Sequence, residues 1–237
     1  MTMMKRMWCA ALLLTVSASG ASAQGVADSV APPPRYAAAV RILERFIAHE
    51  MADKHLPALS VALVSDQTVI WARGFGVANP GDSTPATART VYRVGSVSKL
   101  FTDIAAMQLV EKKVLDLDAP VTRYLPTFTP QGQGARSITL RQLMSHRAGL
   151  VREPPTGHYF DSTTPPLDQT VRSLNDTRLV YRPPSKTKYS NAGVAVAGLV
   201  VQTVGGQRFQ DYLARSVLRP MGLDESAFAA CKSVGIG

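Results

Sequence analysis

Tyr92-Arg93-Val94-Gly95-Ser96-Val97-Ser98-Lys99, running on into Leu100-Phe101-Thr102-Asp103-Ile104-Ala105-Ala106-Met107, is the stretch on which the reading turns. Leu100, Phe101, Ile104 and Met107 repeat at the three-and-four spacing of a helix face, so a helix is expected from about Val97 to Val110. Ser96 opens it, and residues three apart share a face, which sets Lys99 beside Ser96. A serine hydroxyl is a weak nucleophile until a neighbour takes its proton, and a lysine one turn away is such a neighbour. The amino end of the helix also favours negative charge on the serine oxygen. Gly95 leaves room for a close turn. Spacing alone is weak, because Ser185-Lys186-Thr187-Lys188 repeats it. That second match lies in a proline-led loop with no helical periodicity behind it. Ser98 is the other nearby hydroxyl, but it adjoins Lys99 in sequence and falls off its face.

The 237 residues, 46% hydrophobic and 18% charged, suffice for one sizeable core and exclude a disordered chain. Lys5 and Arg6, the apolar run Met7 to Val16, and Ala21-Ser22-Ala23 follow the order of a secretory leader, with cleavage expected before Gln24. The expected division is therefore a signal peptide over 1–23, a proline-rich mobile linker over 24–34, and one domain over 35–237. The apolar run is too short to span a bilayer, so no stable membrane span is expected. Cys9 leaves with the leader, and Cys231 alone cannot form an internal disulfide. Loss of the leader lowers the formal charge from +9 to +7. The remaining basic residues are scattered, without the aromatic-basic stripe of a nucleic-acid-binding surface. Neither a metal nor a cofactor is called for.

Along the mature chain, Val40, Leu43, Phe46 and Ile47 mark an amphipathic helix over Tyr36 to Met51. Leu59 to Val64 and Thr68 to Phe75 read as two strands around the turn Ser65-Asp66-Gln67, and Asn79 to Ala88 reads as loop. Thr139 to Ser145 is expected as a short helix ended by Gly149. A helix from Ala192 to Val204 stops at Gly205-Gly206, and another follows from Phe209 to Leu218. Strand content is small for a chain of mixed class.

Tyr189-Ser190-Asn191 is the second cluster that could carry chemistry. A tyrosine whose proton is drawn off by a lysine can act as a base, and an asparagine amide can hold a substrate carbonyl. The competing reading is a buried tyrosine followed by an N-cap asparagine, since Asn191 stands where the Ala192 helix begins.

Taken in order, several segments resemble one family, the serine β-lactamase-related proteins: class C β-lactamases, D-alanyl-D-alanine carboxypeptidases and related esterases. Gly74-Phe75-Gly76-Val77-Ala78 is similar to its second strand, and Tyr92 to Lys99 to its nucleophile segment. Leu140-Arg141-Gln142-Leu143-Met144-Ser145-His146-Arg147-Ala148-Gly149-Leu150 resembles its L-L-x-H-x-x-G-L segment. Tyr189-Ser190-Asn191-Ala192-Gly193 and Arg219-Pro220-Met221-Gly222-Leu223 follow in the family's order, so the likeness covers about Arg41 to Phe228. It implies an α/β (α+β) fold: an antiparallel sheet flanked by helices, plus a mostly helical subdomain. It also implies Ser96 as acylated nucleophile, Lys99 as its proton partner, Tyr189 as general base and Asn191 as a contact to the substrate amide. Y-S-N in place of S-D-N points to the class C and esterase side. His146 has no orienting acid in view and is structural in the family.

The family's third motif, Lys-Thr-Gly or His-x-Gly on a later strand, has no match among the 46 residues after Asn191. Lys232-Ser233-Val234-Gly235 has its glycine one place late, and Lys186-Thr187-Lys188 has none. The chain therefore reads as C-terminally truncated relative to the family, with the later sheet strands missing. Two function classes stay open. One is a hydrolase acylated on Ser96, acting on a small-molecule or peptide substrate (a β-lactam, a D-alanyl peptide or an ester). The other is a catalytically impaired remnant that only binds a ligand or partner.

Overall fold

The computed structural model describes residues 28–228, so the expected leader and the Lys232–Gly235 segment lie outside the described residues. The chain divides into two units at Tyr92/Arg93.

In the first unit, β1 (Ala58–Ser65) and β2 (Thr68–Asn79) pair antiparallel, with Leu59 opposite Phe75 and Ser65 opposite Thr68. Asp66 and Gln67 between them both take positive φ, +47° and +64°, the turn geometry whose twist matches a two-residue hairpin. Helix α1 (Ala37–Asp53) lays Val40 and Ile47 against Trp71, with Leu43, Met51 and Phe75 around them. Phe46, expected on that face, instead points outward, 57% exposed.

Two further departures concern the sheet. β2 runs on to Asn79 and pairs with a two-residue strand, β3 (Thr84–Pro85), inside the segment expected as loop. Within the expected linker, Val30 exchanges backbone hydrogen bonds with Ala72 at 2.8 and 3.1 Å. The hairpin is thus flanked rather than bare. Gly76 is fixed by sterics, since at φ +75° a Cβ would stand 2.2 Å from the Pro57 carbonyl oxygen.

The second unit is helical. Helix α2 (Ser98–Glu111) is preceded by a 3₁₀ turn over Gly95–Val97. It packs with α5 (Asn191–Gly205), which is apolar nearly all round and buried accordingly: Ala192, Val196, Ala197, Val200 and Val201 are fully enclosed. Between them in sequence lie α3 (Leu140–Met144) and α4 (Leu167–Arg172). Helix α3 starts on a capping box, in which Thr139 accepts from the Gln142 N–H and Gln142 reaches back to the Thr139 N–H. It stops at Met144, one residue short of the expected Ser145, which is its C-cap. The core gathers Leu109, Phe128, Ile138, Leu143, Leu150 and Leu213 around α5, with Ile104 packed against it. α5 ends as its glycines foretell, with Gly206 left-handed at φ +66°. The Phe209–Leu218 segment is not one α-helix. α6 (Phe209–Leu213) gives way to a π turn over Ala214–Leu218 and a 3₁₀ turn over Arg219–Met221. Among the described residues no helix is long and apolar enough to cross a membrane.

Candidate active site

Ser96 sits in the 3₁₀ turn rather than in the α-helix itself, and Lys99 follows three residues on in the first turn of α2. Residues three apart share a face. The Lys99 ammonium accordingly donates to Ser96 Oγ at 3.0 Å. Tyr189 arrives from the other side of the sequence, with its hydroxyl 2.5 Å from Ser96 Oγ. An ammonium can only donate, so Ser96 Oγ accepts from Lys99, and either hydroxyl can donate in the bond between Ser96 and Tyr189. Ser96 is exposed, open to an incoming carbonyl. Ser185 is not part of this cluster; its hydroxyl donates to the Arg182 carbonyl at 2.5 Å, inside its own loop.

Cations surround the tyrosine. Lys99 Nζ lies 4.8 Å and the Arg152 guanidinium carbon 5.1 Å from the phenol ring centroid. The Lys99 ammonium first, then the Ser96 hydroxyl and Arg152, hold the Tyr189 phenol below its ordinary value of 10.0 against a smaller opposing effect of burial. A phenol so placed gives up its proton more readily than a free tyrosine.

The amino end of α5 fixes both functional neighbours. Ser190, not Asn191, is the N-cap: its buried hydroxyl accepts from the Gly193 N–H at 2.9 Å and donates to the Val151 carbonyl at 2.6 Å. Asn191 is the first helical residue, which frees its side chain. That amide donates to Glu153 Oε1 at 2.6 Å. A carboxylate only accepts, so the Asn191 oxygen is turned away from Glu153 and available to a ligand. The Arg152 carbonyl meanwhile takes the N–H groups of Asn191 and Ala192, at 2.7 and 3.1 Å. Beside Lys99 and Asn191 a mostly apolar pocket of about 210 Å³ opens, walled by Thr102, Leu167, Val194, Phe209 and Phe228 among others.

The four residues expected from the sequence, Ser96, Lys99, Tyr189 and Asn191, thus belong to one region of the helical unit. Arg152 and Glu153 were not anticipated. They sit just before Pro154-Pro155, in a loop whose spacing carries no signal, and only the fold delivers them to Tyr189 and Asn191. His146 was expected to be structural, and its ring lies 4.6 Å from that of Tyr189. No cluster of metal-ligating side chains occurs among the described residues.

Known proteins share this sequence and fold. The Beta-lactamase family profile matches residues 43–234. Protein flp of Staphylococcus aureus is 25% identical over 187 residues, 78% of this chain and 38% of its own length. The octameric penicillin-binding protein homologue of Pyrococcus abyssi superposes with a TM-score of 0.67 at 28% identity, over 77% of this chain and 43% of that one. EstCE1, a hydrolase with promiscuous acyltransferase activity, does so with a TM-score of 0.67 at 30% identity, over 75% of this chain and 50% of that one. The chain spans about two-fifths of the length of the curated relatives it matches. With most of its residues under one family profile and its helices and antiparallel sheet superposing on solved penicillin-binding relatives, the chain belongs to the Beta-lactamase family and has the β-lactamase/transpeptidase-like fold.

Proposed function

We propose that the protein is a serine hydrolase that works through an acyl-enzyme on Ser96. The observation that carries this is the shared hydroxyl: Ser96 Oγ lies 2.5 Å from the Tyr189 oxygen and 3.0 Å from Lys99 Nζ. In the first half-reaction Tyr189, entering as the phenolate that Lys99 stabilises, takes the Ser96 proton as Oγ bonds to the substrate carbonyl carbon. Collapse of the tetrahedral species breaks the bond to the leaving atom, which takes the proton from Tyr189. In the second half a water attacks the ester while Tyr189 takes its proton, releasing the acid and restoring the Ser96 hydroxyl. Lys99 keeps Tyr189 acidic and stabilises negative charge on both oxygens. Asn191, its oxygen turned away from Glu153, accepts an N–H from the acyl side of a β-lactam, D-alanyl peptide or similar amide, or frames an ester. EstCE1 and the penicillin-binding relatives support acyl transfer as the reaction class.

The leader pattern supports export, with the mature chain beginning at Gln24; N-terminal sequencing of protein recovered from the host tests it, and a chain still starting at Met1 would count against it. The chemistry is tested with a fluorescent penicillin and a fluorophosphonate. Labelling should vanish in Ser96→Ala and persist in Ser185→Ala. Labelling that survives Ser96→Ala overturns the assignment.

A further inference from the structure

His146 is bound to the Tyr189 segment at three points. Its carbonyl accepts the Lys188 N–H at 2.8 Å. Its Nδ1 accepts the Ser190 N–H at 3.3 Å. Its ring lies on the Tyr189 ring, centroids 4.6 Å apart and planes inclined by 37°. The two N–H groups flank Tyr189, so one residue grips the chain before and after the phenol. In doing so His146 holds a left-handed backbone, φ +58°, a conformation uncommon for residues other than glycine.

We infer that His146 is a positioning residue for Tyr189, and that only its neutral ring, with Nδ1 bare as an acceptor, holds the phenol against Ser96. The inference rests on the proposed role of Tyr189 but concerns a different residue and a different observable. The tautomer follows from the hydrogen bond, because Nδ1 accepts and the single ring proton of the neutral imidazole must sit on Nε2. Protonation would turn Nδ1 into a donor facing the Ser190 N–H, donor against donor. It would also add a cation to a neighbourhood that already holds Lys99 on α2 and Arg152, both close to the Tyr189 ring. Tyr189 itself and the Tyr181 hydroxyl, which donates to the His146 carbonyl at 3.4 Å, also face it. None of these is an acid that would welcome the proton. Burial first, and then Lys99, push the imidazole below its ordinary 6.5. The neutral splint therefore stands at neutral pH and is released as pH falls through that lowered value.

Two variants separate the side chain from the backbone. Asparagine accepts a left-handed φ and offers an oxygen near the Nδ1 position, whereas glycine accepts the same φ and offers nothing. With p-nitrophenyl acetate as probe, His146→Gly should lose about tenfold or more in acylation rate, the scale of one lost positioning hydrogen bond, and His146→Asn should recover most of it. The ratio of the wild-type rate to the His146→Asn rate should be flat at neutral pH and fall as pH drops through the His146 value, by about the factor lost in His146→Gly. A ratio that stays flat across the pH range in which NMR shows the His146 ring taking up its proton, or equal rates for the Asn and Gly variants, overturns the proposal. A readout that needs no turnover separates this from failure of the hydrolase reading. Tyrosinate absorbance, taken as a difference against Tyr189→Phe, should show the Tyr189 ionisation moving up toward 10 in His146→Gly and staying low in His146→Asn. An ionisation unmoved in both variants contradicts the role of His146 even if Ser96 never acylates.

Discussion

Ser190→Ala is expected to destabilise the helical unit more than any neighbouring polar substitution. The Ser190 hydroxyl, buried to 3% exposure, caps α5 by accepting from the Gly193 N–H and closes the α3–α4 connection by donating to the Val151 carbonyl. Alanine removes both bonds and admits no water in their place. Loss of a serine N-cap costs about 1 kcal/mol. Stranding a part-buried carbonyl adds about 1–2 kcal/mol, giving roughly 2–3 kcal/mol in all. For a chain of this size that lowers the melting temperature by roughly 4–12 °C. Urea titration and thermal melts followed by circular dichroism measure it. Ser190→Thr, which keeps an oxygen able to accept and donate, should restore most of the loss. Asn191→Ala is the decisive comparison, since Asn191 gives up only a half-exposed bond to Glu153 and should cost about 1 kcal/mol or less. An Asn191→Ala protein less stable than Ser190→Ala would return the cap to Asn191 and refute the reasoning.

Tyr189→Phe keeps the ring on His146 but removes the oxygen nearest Ser96, so the fold should hold while acylation by p-nitrophenyl acetate drops by about 100- to 10,000-fold, read by stopped-flow absorbance. Leu143→Ala empties a fully buried site where α3 meets α5 and should cost about 2–5 kcal/mol by urea titration. Lowering of the Tyr189 phenol means that tyrosinate forms there below pH 10, and stability should rise with pH between the lowered value and 10, because the unfolded chain holds the proton longer; Lys99→Met should reduce both effects in a paired absorbance and melting series, leaving the smaller part due to Ser96 and Arg152.

Much of this could be read along the chain. Helical periodicity placed α1 and α5, since each buries a stripe or a whole surface wide enough to leave a repeat in the sequence. α2 forms where expected, but it buries Thr102, Ala105, Ala106 and Leu109, while Leu100 and Met107 of the expected stripe are 58% and 40% exposed. Ser96, Lys99 and Tyr189 followed because the first two are neighbours by helical geometry and the third is tied to them by the order of the family's motifs. Other features escaped for physical reasons. β3 is two residues long and Val30 pairs through one bridge, and neither length can carry an alternation. Ser190 and Asn191 are both good caps standing side by side, so the sequence allows either register and only the buried partners of Ser190 decide it. Glu153 and Arg152 act across the fold from a loop, where contact is set by packing rather than spacing. The π turn after α6 inserts one residue per turn without any change in composition that would announce it.

The central claim is that Ser96 is the nucleophile, and intact-mass spectrometry of the purified protein after brief exposure to a penicillin tests it most directly. The account predicts a single adduct with the mass of the opened penicillin, mapped by peptide fragmentation to Ser96 and absent in Ser96→Ala. An adduct mapped to Ser98, Ser185 or any other residue, or one undiminished in Ser96→Ala, would contradict it.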